Sequence, residues 1–154
     1  MKHWLFKSEP ETYGIDHLAR EPGQTTAWDG VRNYQARNML RDEVSKGDEG
    51  FFYHSSCAVP GIVGIVRVVR EAYPDACAFS PKSPYYDPKS DKHNPRWFCV
   101  DVQLVKRIEP IITLNELRQH ANGALAEMFI LRRGNRLSVT PVTNREWKFI
   151  LKLR

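Results

Sequence analysis

The run Gly61-Ile62-Val63-Gly64-Ile65-Val66-Arg67-Val68-Val69 leaves the chain least freedom. Its β-branched side chains suit a pleated strand, and through Val66 both faces of that strand are apolar. A strand wet on one side alternates apolar with polar residues. One that is apolar on both sides must be covered twice, either in a sheet flanked on both faces or in a small closed barrel backed by helices. The other strand-like runs agree. His3-Trp4-Leu5-Phe6 reads as a short buried strand halted by Pro10, which has no N–H for a continuing ladder. Gly50-Phe51-Phe52-Tyr53-His54-Ser55 is rich in aromatic residues, and Leu137-Ser138-Val139 is a short late strand. Trp97 to Val105 alternates, with Phe98, Val100, Val102 and Leu104 on a core face and Trp97, Cys99, Asp101 and Gln103 on the other.

Helical segments lie between these strands. Asp16 is placed to cap a short helix ending at Arg20, before Pro22-Gly23. Asn33 to Ser45 has helical periodicity, Thr113 or Asn115 opens another helix, and Thr143 caps a last one bearing Trp147, Ile150 and Leu151. Ala78 to Pro95, with Pro81, Pro84, Pro88 and Pro95, reads as a long irregular loop. The expected class is α+β, a bent mixed β-barrel of five to six strands flanked by short helices. At 154 residues and 42% hydrophobic, the chain can bury one core, and no linker or repeat divides residues 1–154.

Composition narrows the partners. A net charge of +5 and a pI near 9.2 favour a polyanion. Cys57, Cys77 and Cys99 are odd in number and widely spaced, which argues against a disulfide framework and a zinc site; no metal or cofactor is expected. The start carries only Trp4-Leu5-Phe6 as an apolar run before Lys7 and Glu9, so neither a signal peptide nor a membrane span is drawn there. The expectation is a soluble cytoplasmic monomer.

Polar and aromatic groups concentrate in Trp28-Asp29-Gly30-Val31-Arg32-Asn33-Tyr34-Gln35-Ala36-Arg37-Asn38, which runs from a loop into a helix. A helix amino terminus exposes free N–H groups, an indole offers a stacking surface, and Asn33 and Asn38 can donate and accept at once, as the edge of a nucleobase requires. Two readings stand side by side. In one, Trp28 stacks on a base and the asparagines grip it; in the other, Trp28 anchors the core and the asparagines cap turns. On the helix, Asn33 and Arg37 share the stripe with Ala36, Leu40 and Val44. They therefore line a cavity, meet a buried carboxylate, or reach water at the rim. In the long loop, Tyr85-Tyr86 with Lys82, Lys89 and Lys92 suits a flap over phosphates or a merely solvated loop.

This segment and its neighbours resemble the EVE domain family of the PUA/YTH-like superfamily. The resemblance is carried by Trp4 to Pro10, Trp28 to Asn38, Gly47-Asp48 leading to Phe51-Phe52-Tyr53-His54-Ser55, and Gly61 to Ile65. It continues through Tyr86-Asp87-Pro88, Pro95-Arg96-Trp97, Val100-Asp101-Val102, Asn135 to Val139 and Pro141-Val142, in order along nearly the whole chain. The resemblance implies a PUA-like fold and a pocket that reads modified bases without turnover, particularly modified cytosines such as 5-methylcytosine in DNA. Modified RNA is the alternative partner, because nothing in the sequence separates the two nucleic acids. Carried over by residue, Trp28 would be the stacking wall, with Val31, Arg32, Asn33, Tyr34, Arg37 and Asn38 around the base. Lys7, Ser8 and Glu9 would form the opposite lip, His54 and Ser55 would close one side, and Arg136, Leu137 and Ser138 would complete the cavity. Trp97 is either a pocket member or packed under a helix. No second tryptophan can be placed opposite Trp28.

The rival enzyme reading rests on Glu9, His54, Ser55 and Cys57 converging. The chain has no G-x-S-x-G elbow, no metal-ligand spacing and no phosphate-cradling glycine loop, so no catalytic residue is assigned.

Overall fold

The computed structural model describes residues 1–154. Six strands form one mixed sheet: β1 (His3–Ser8), β2 (Thr25–Trp28), β3 (Glu49–His54), β4 (Gly61–Pro74), β5 (Phe98–Thr113) and β6 (Val139–Val142). Their order across the sheet is β2-β5-β4-β3-β1-β6, and only β1 and β3 run parallel. Five short helices accompany them: α1 (Pro10–Tyr13), α2 (Ile15–Arg20), α3 (Tyr34–Asp42), α4 (Leu114–Arg118) and α5 (Asn144–Leu151).

The double coverage required by the Gly61–Val69 run is met. Ile62 and Ile65 pack into one core with Phe51, Leu117, Trp147 and Ile150, beneath α4 and α5. Val63, Val66 and Val68 pack into the other with Trp4, Phe6, Trp28, Phe52, Val100 and Leu40, beneath α2 and α3. The expected barrel does not close, since β2 and β6 are opposite edges of the sheet. Bending comes instead from β4 and β5, whose pairing slips at Ile62/Gly64, Ile65/Val66, Val68/Arg70 and Arg70/Tyr73; each extra residue turns the ladder and sharpens its twist. Both strands outrun the periodic segments that betray them, because the far end of β4 is largely exposed and that of β5 buries only Ile108 and Ile112, too far apart to alternate.

Several local expectations need adjustment. Asp16 does not cap α2: Gly14 precedes the helix, and its N–H donates to Nδ1 of His17. Asp16 lies in the first turn and pairs with Arg107 at 2.7 Å. Thr113 caps α4, and Thr143 forms a capping box with Glu146 on α5. On β5 the second face is also covered, since Trp97 and Cys99 are buried beside Val100 and Val102. The 78–95 stretch is a chain of turns pinned to the body, with the Asp87 N–H donating to Ala78 O and the Trp97 Nε1–H donating to Asp87 Oδ2 at 2.7 Å.

Candidate nucleic-acid interface

At the β2 edge the sheet parts from α1 and the 78–95 segment and leaves an open cavity of two adjoining lobes, each about 290 Å³. Ser8, Thr12, Trp28, Asp29 and Tyr85 border both lobes. Tyr13, Thr26 and Ala27 extend one of them, while Lys7, Glu9, Gly30, Val31 and Ser138 extend the other. The volume stands at the small end of ligand pockets, which run from roughly 300 to 1,000 Å³ and suit compact molecules at that end.

Trp28 belongs to the core and to the cavity together. It is 6% exposed and packs edge-on against Phe6 at 5.4 Å and Phe52 at 5.2 Å, as a core residue would, yet it also walls both lobes. The second aromatic wall is Tyr85. Arg32 holds it in place through the main chain, donating from Nε and Nη2 to Tyr85 O at 3.1 and 2.7 Å. The same guanidinium donates from Nη1 to buried Asp75 at 3.0 Å. Asp75 also accepts from the Gly30 and Cys77 amides, so one carboxylate ties the β2–α3 loop to the segment that carries Tyr85. Gly30 has φ +75°, and a Cβ there would stand 2.7 Å from the Tyr85 ring; the position therefore excludes a side chain by conformation and by space.

Electrostatics at the mouth are divided. Desolvation lowers the Lys7 ammonium below the ordinary lysine range, and no carboxylate offsets it. Desolvation raises the Asp29 carboxyl and nearby Asp75 raises it further, against the Cys77 thiol and Arg32, which lower it. Asp29, Asp75 and Cys77 bring ligand-type atoms within 4.8 Å of one another. Arg32 already supplies the positive charge there and Asp75 already accepts three hydrogen bonds, so this donor set does not suit a cation.

Of the residues singled out in the sequence, Lys7, Ser8, Glu9, Trp28, Val31 and Ser138 meet at the cavity. Arg32 acts behind it as a clamp. Asn33 is exposed and caps α3, accepting from the Ala36 N–H at 3.0 Å. Asn38 is exposed and accepts from Arg37 Nε, while Arg37 Nη1 donates to Arg96 O at 2.8 Å. The shared helical stripe therefore ends at the rim, where a cap and a main-chain carbonyl satisfy the polar groups. Tyr34 is exposed and stacks on Trp97 at 4.9 Å, so Trp97 packs beneath the start of α3 and borders neither lobe. His54 faces α2, where its Nε2 accepts from the Ile15 N–H, and burial lowers its pKa. The Ser55 N–H donates to Ser8 O just past the strand ends. Leu137 is a core residue and Arg136 is exposed on the preceding loop. Lys82, Lys89 and Lys92 are exposed; Lys89 and Lys92 border a separate shallow depression beside Tyr86.

Sequence reasoning missed Thr12, Tyr13, Thr26, Asp75 and the wall role of Tyr85. Only Tyr85 left a signal, as half of an aromatic pair among lysines in a long loop.

An open mixed sheet with an aromatic-walled, partly polar cavity at one edge is the geometry of a domain that holds a small flat ligand. The EVE domain family matches residues 2–153. Human thymocyte nuclear protein 1 is 46% identical over 165 residues, covering 98% of this chain and 73% of that protein. The Gallus gallus protein of the same name is 47% identical over 98% of this chain and 68% of its own length. Human THYN1 protein in complex with 5-methylcytosine-containing DNA superposes with a TM-score of 0.93 at 46% identity, covering 99% of this chain and 97% of that one. A crystal structure of a Pseudomonas putida protein gives 0.92 at 48% identity over 98% of each chain. The chain belongs to the EVE domain family.

Proposed function

We propose that this chain is a non-catalytic reader of modified DNA bases, 5-methylcytosine first among them, and that a flipped or single-stranded base enters the cavity between Trp28 and Tyr85. The observation that carries the reading is that cavity: two aromatic walls, hydroxyls from Ser8 and Thr12, and a lysine without a carboxylate partner at its lip. The likeness to a human relative complexed with 5-methylcytosine-containing DNA supports the choice of base and nucleic acid. Taking a base out of its stack costs a few kcal/mol, and stacking on an aromatic side chain returns about 1–3 kcal/mol per base. Lys7, Ser8, Glu9, Val31 and Ser138 form the lip around the base, and Lys82, Lys89 and Lys92 meet the flanking phosphates. Arg32 holds the Tyr85 wall through its main-chain carbonyl.

Binding without turnover is supported by what the reactive groups already do. His54 Nε2 is taken by the Ile15 amide, and burial raises the thiols of Cys77 and Cys99, the latter to about 12. The reading takes the chain to act as a monomer. Three free cysteines support a reducing, cytoplasmic setting. No helix is long and apolar enough to cross a membrane.

The test is a titration of one oligonucleotide sequence with cytosine or 5-methylcytosine at a single position, as DNA and as RNA. The reading expects tighter binding of the methylated DNA. Equal affinity for methylated and unmethylated strands refutes it, and preference for the methylated RNA moves the partner to RNA.

A further inference from the structure

We propose that Asp29 is the specificity-determining residue of the cavity, on the footing that the cavity reads a base: its carboxylate accepts the 4-amino hydrogens of a bound cytosine ring and thereby rejects the 4-keto pyrimidines.

Asp29 directly follows Trp28 and borders both lobes, so its carboxylate stands at the rim of a ring lying against the indole. Its acceptor capacity is almost unused. Oδ2 receives only the Cys77 thiol, at 3.4 Å, and no other residue donates to the carboxylate. Asp75 behind it is the opposite case, accepting three hydrogen bonds, from Gly30, Arg32 and Cys77. Glu9, the other carboxylate at the cavity, borders one lobe alone, and both carboxylates reach solvent. The Ser8, Thr12 and Thr26 hydroxyls rotate to donate or accept and cannot impose a direction on a ring edge. An ionised carboxylate can only accept.

That one-way character separates two bases the rest of the cavity sees as alike. Thymine is 5-methyluracil, so it carries the same methyl group and the same stacking face as 5-methylcytosine. The two differ on one edge, where cytosine presents an amino donor at position 4 and thymine presents a carbonyl acceptor. Against Asp29 the amino group gains a charge-assisted hydrogen bond, while the carbonyl meets a second acceptor with its own hydration stripped away. Aromatic walls and a methyl-sized space cannot make this distinction.

The experiment uses the whole chain and single-stranded DNA of one sequence with cytosine, 5-methylcytosine or thymine at one position, read by fluorescence anisotropy. Wild type should bind the 5-methylcytosine strand roughly tenfold or more tighter than the thymine strand. Asp29→Asn conserves shape and can turn either its oxygen or its amide nitrogen to the ring edge. In that variant the 5-methylcytosine-to-thymine ratio should collapse to within about threefold. A second measurement needs no variant: a strand carrying 5-methylpyrimidin-2-one, which lacks the 4-amino group, should bind wild type at least about fivefold more weakly than 5-methylcytosine. An unchanged ratio in Asp29→Asn, equal binding of thymine and 5-methylcytosine by wild type, or full affinity for the 4-unsubstituted base overturns the assignment. Any of these with 5-methylcytosine still preferred over cytosine leaves the reader function standing. Loss of that preference in wild type brings down the reader function and the role of Asp29 with it.

Discussion

Replacing Tyr85 with alanine removes one wall of the cavity and little else. Its main chain is held independently of the ring, with the carbonyl accepting twice from Arg32 and the N–H donating to Ser83 Oγ at 3.1 Å. The ring is half-buried over Gly30, and the Arg32 guanidinium lies 5.6 Å from its centroid. Folding stability should therefore fall by only about 1 kcal/mol, the range of an exposed cation–π contact with modest packing. Binding should suffer more. Loss of one stacking partner at about 1–3 kcal/mol weakens the methylated strand by roughly 5- to 150-fold. The salt dependence should not change, because the phenol ring neutralises no phosphate. Anisotropy titrations at several salt concentrations, paired with a thermal melt, measure all three quantities. An intact melt with affinity within about threefold of wild type would refute the claim that a base lies against this ring. Trp28→Ala is the poorer probe: the indole is 6% exposed and braced by Phe6 and Phe52, and emptying such a site costs about 3–5 kcal/mol out of a total of about 5–15.

Asp75→Ala should lower stability by at least about 2 kcal/mol, because the Gly30 and Cys77 amides and the Arg32 guanidinium lose their shared acceptor; a calorimetric melt within about half a kcal/mol of wild type would deny it that role. Changing Lys82, Lys89 and Lys92 together to glutamine should weaken methylated and unmethylated strands by the same factor. It should also flatten the plot of log affinity against log salt by about 0.7 for each single-strand phosphate that the lysines no longer neutralise. A weakening confined to the methylated strand would mean that the flap reads the base. Burial lowers the His54 pKa, so the unfolded chain binds the proton more tightly than the folded one. The stabilisation is fully present above the unfolded value near 6.5 and is lost as pH falls from there through the depressed folded value. His54→Gln should flatten that part of the pH–stability curve, and an unchanged slope in urea titrations from pH 7 to 5 would rule His54 out as its source.

Much of the architecture was legible in local pattern. An apolar run on both faces predicted Gly61–Val69 as a doubly covered strand, and Thr143 marked the start of α5, because alternation and capping are set by neighbours in the chain. The indole at the cavity was legible too, as a tryptophan opening a polar loop before a helix. Asn33 and Asn38 were not assignable from pattern, since an amide that can grip a base edge can equally bond within its own helix, as Asn33 does in capping α3 and Asn38 in accepting from Arg37. The separate edges of the sheet, the loop tied down by Asp75, and the meeting of Tyr85 with Trp28 were decided by tertiary structure alone. Each joins residues more than forty positions apart, and no local propensity records which carboxylate a distant arginine will find. Sequence determined most of the strands and helices, though not β2, and where an aromatic group waits; the Asp75 and Arg32 ties to the Tyr85 segment determined what that group faces.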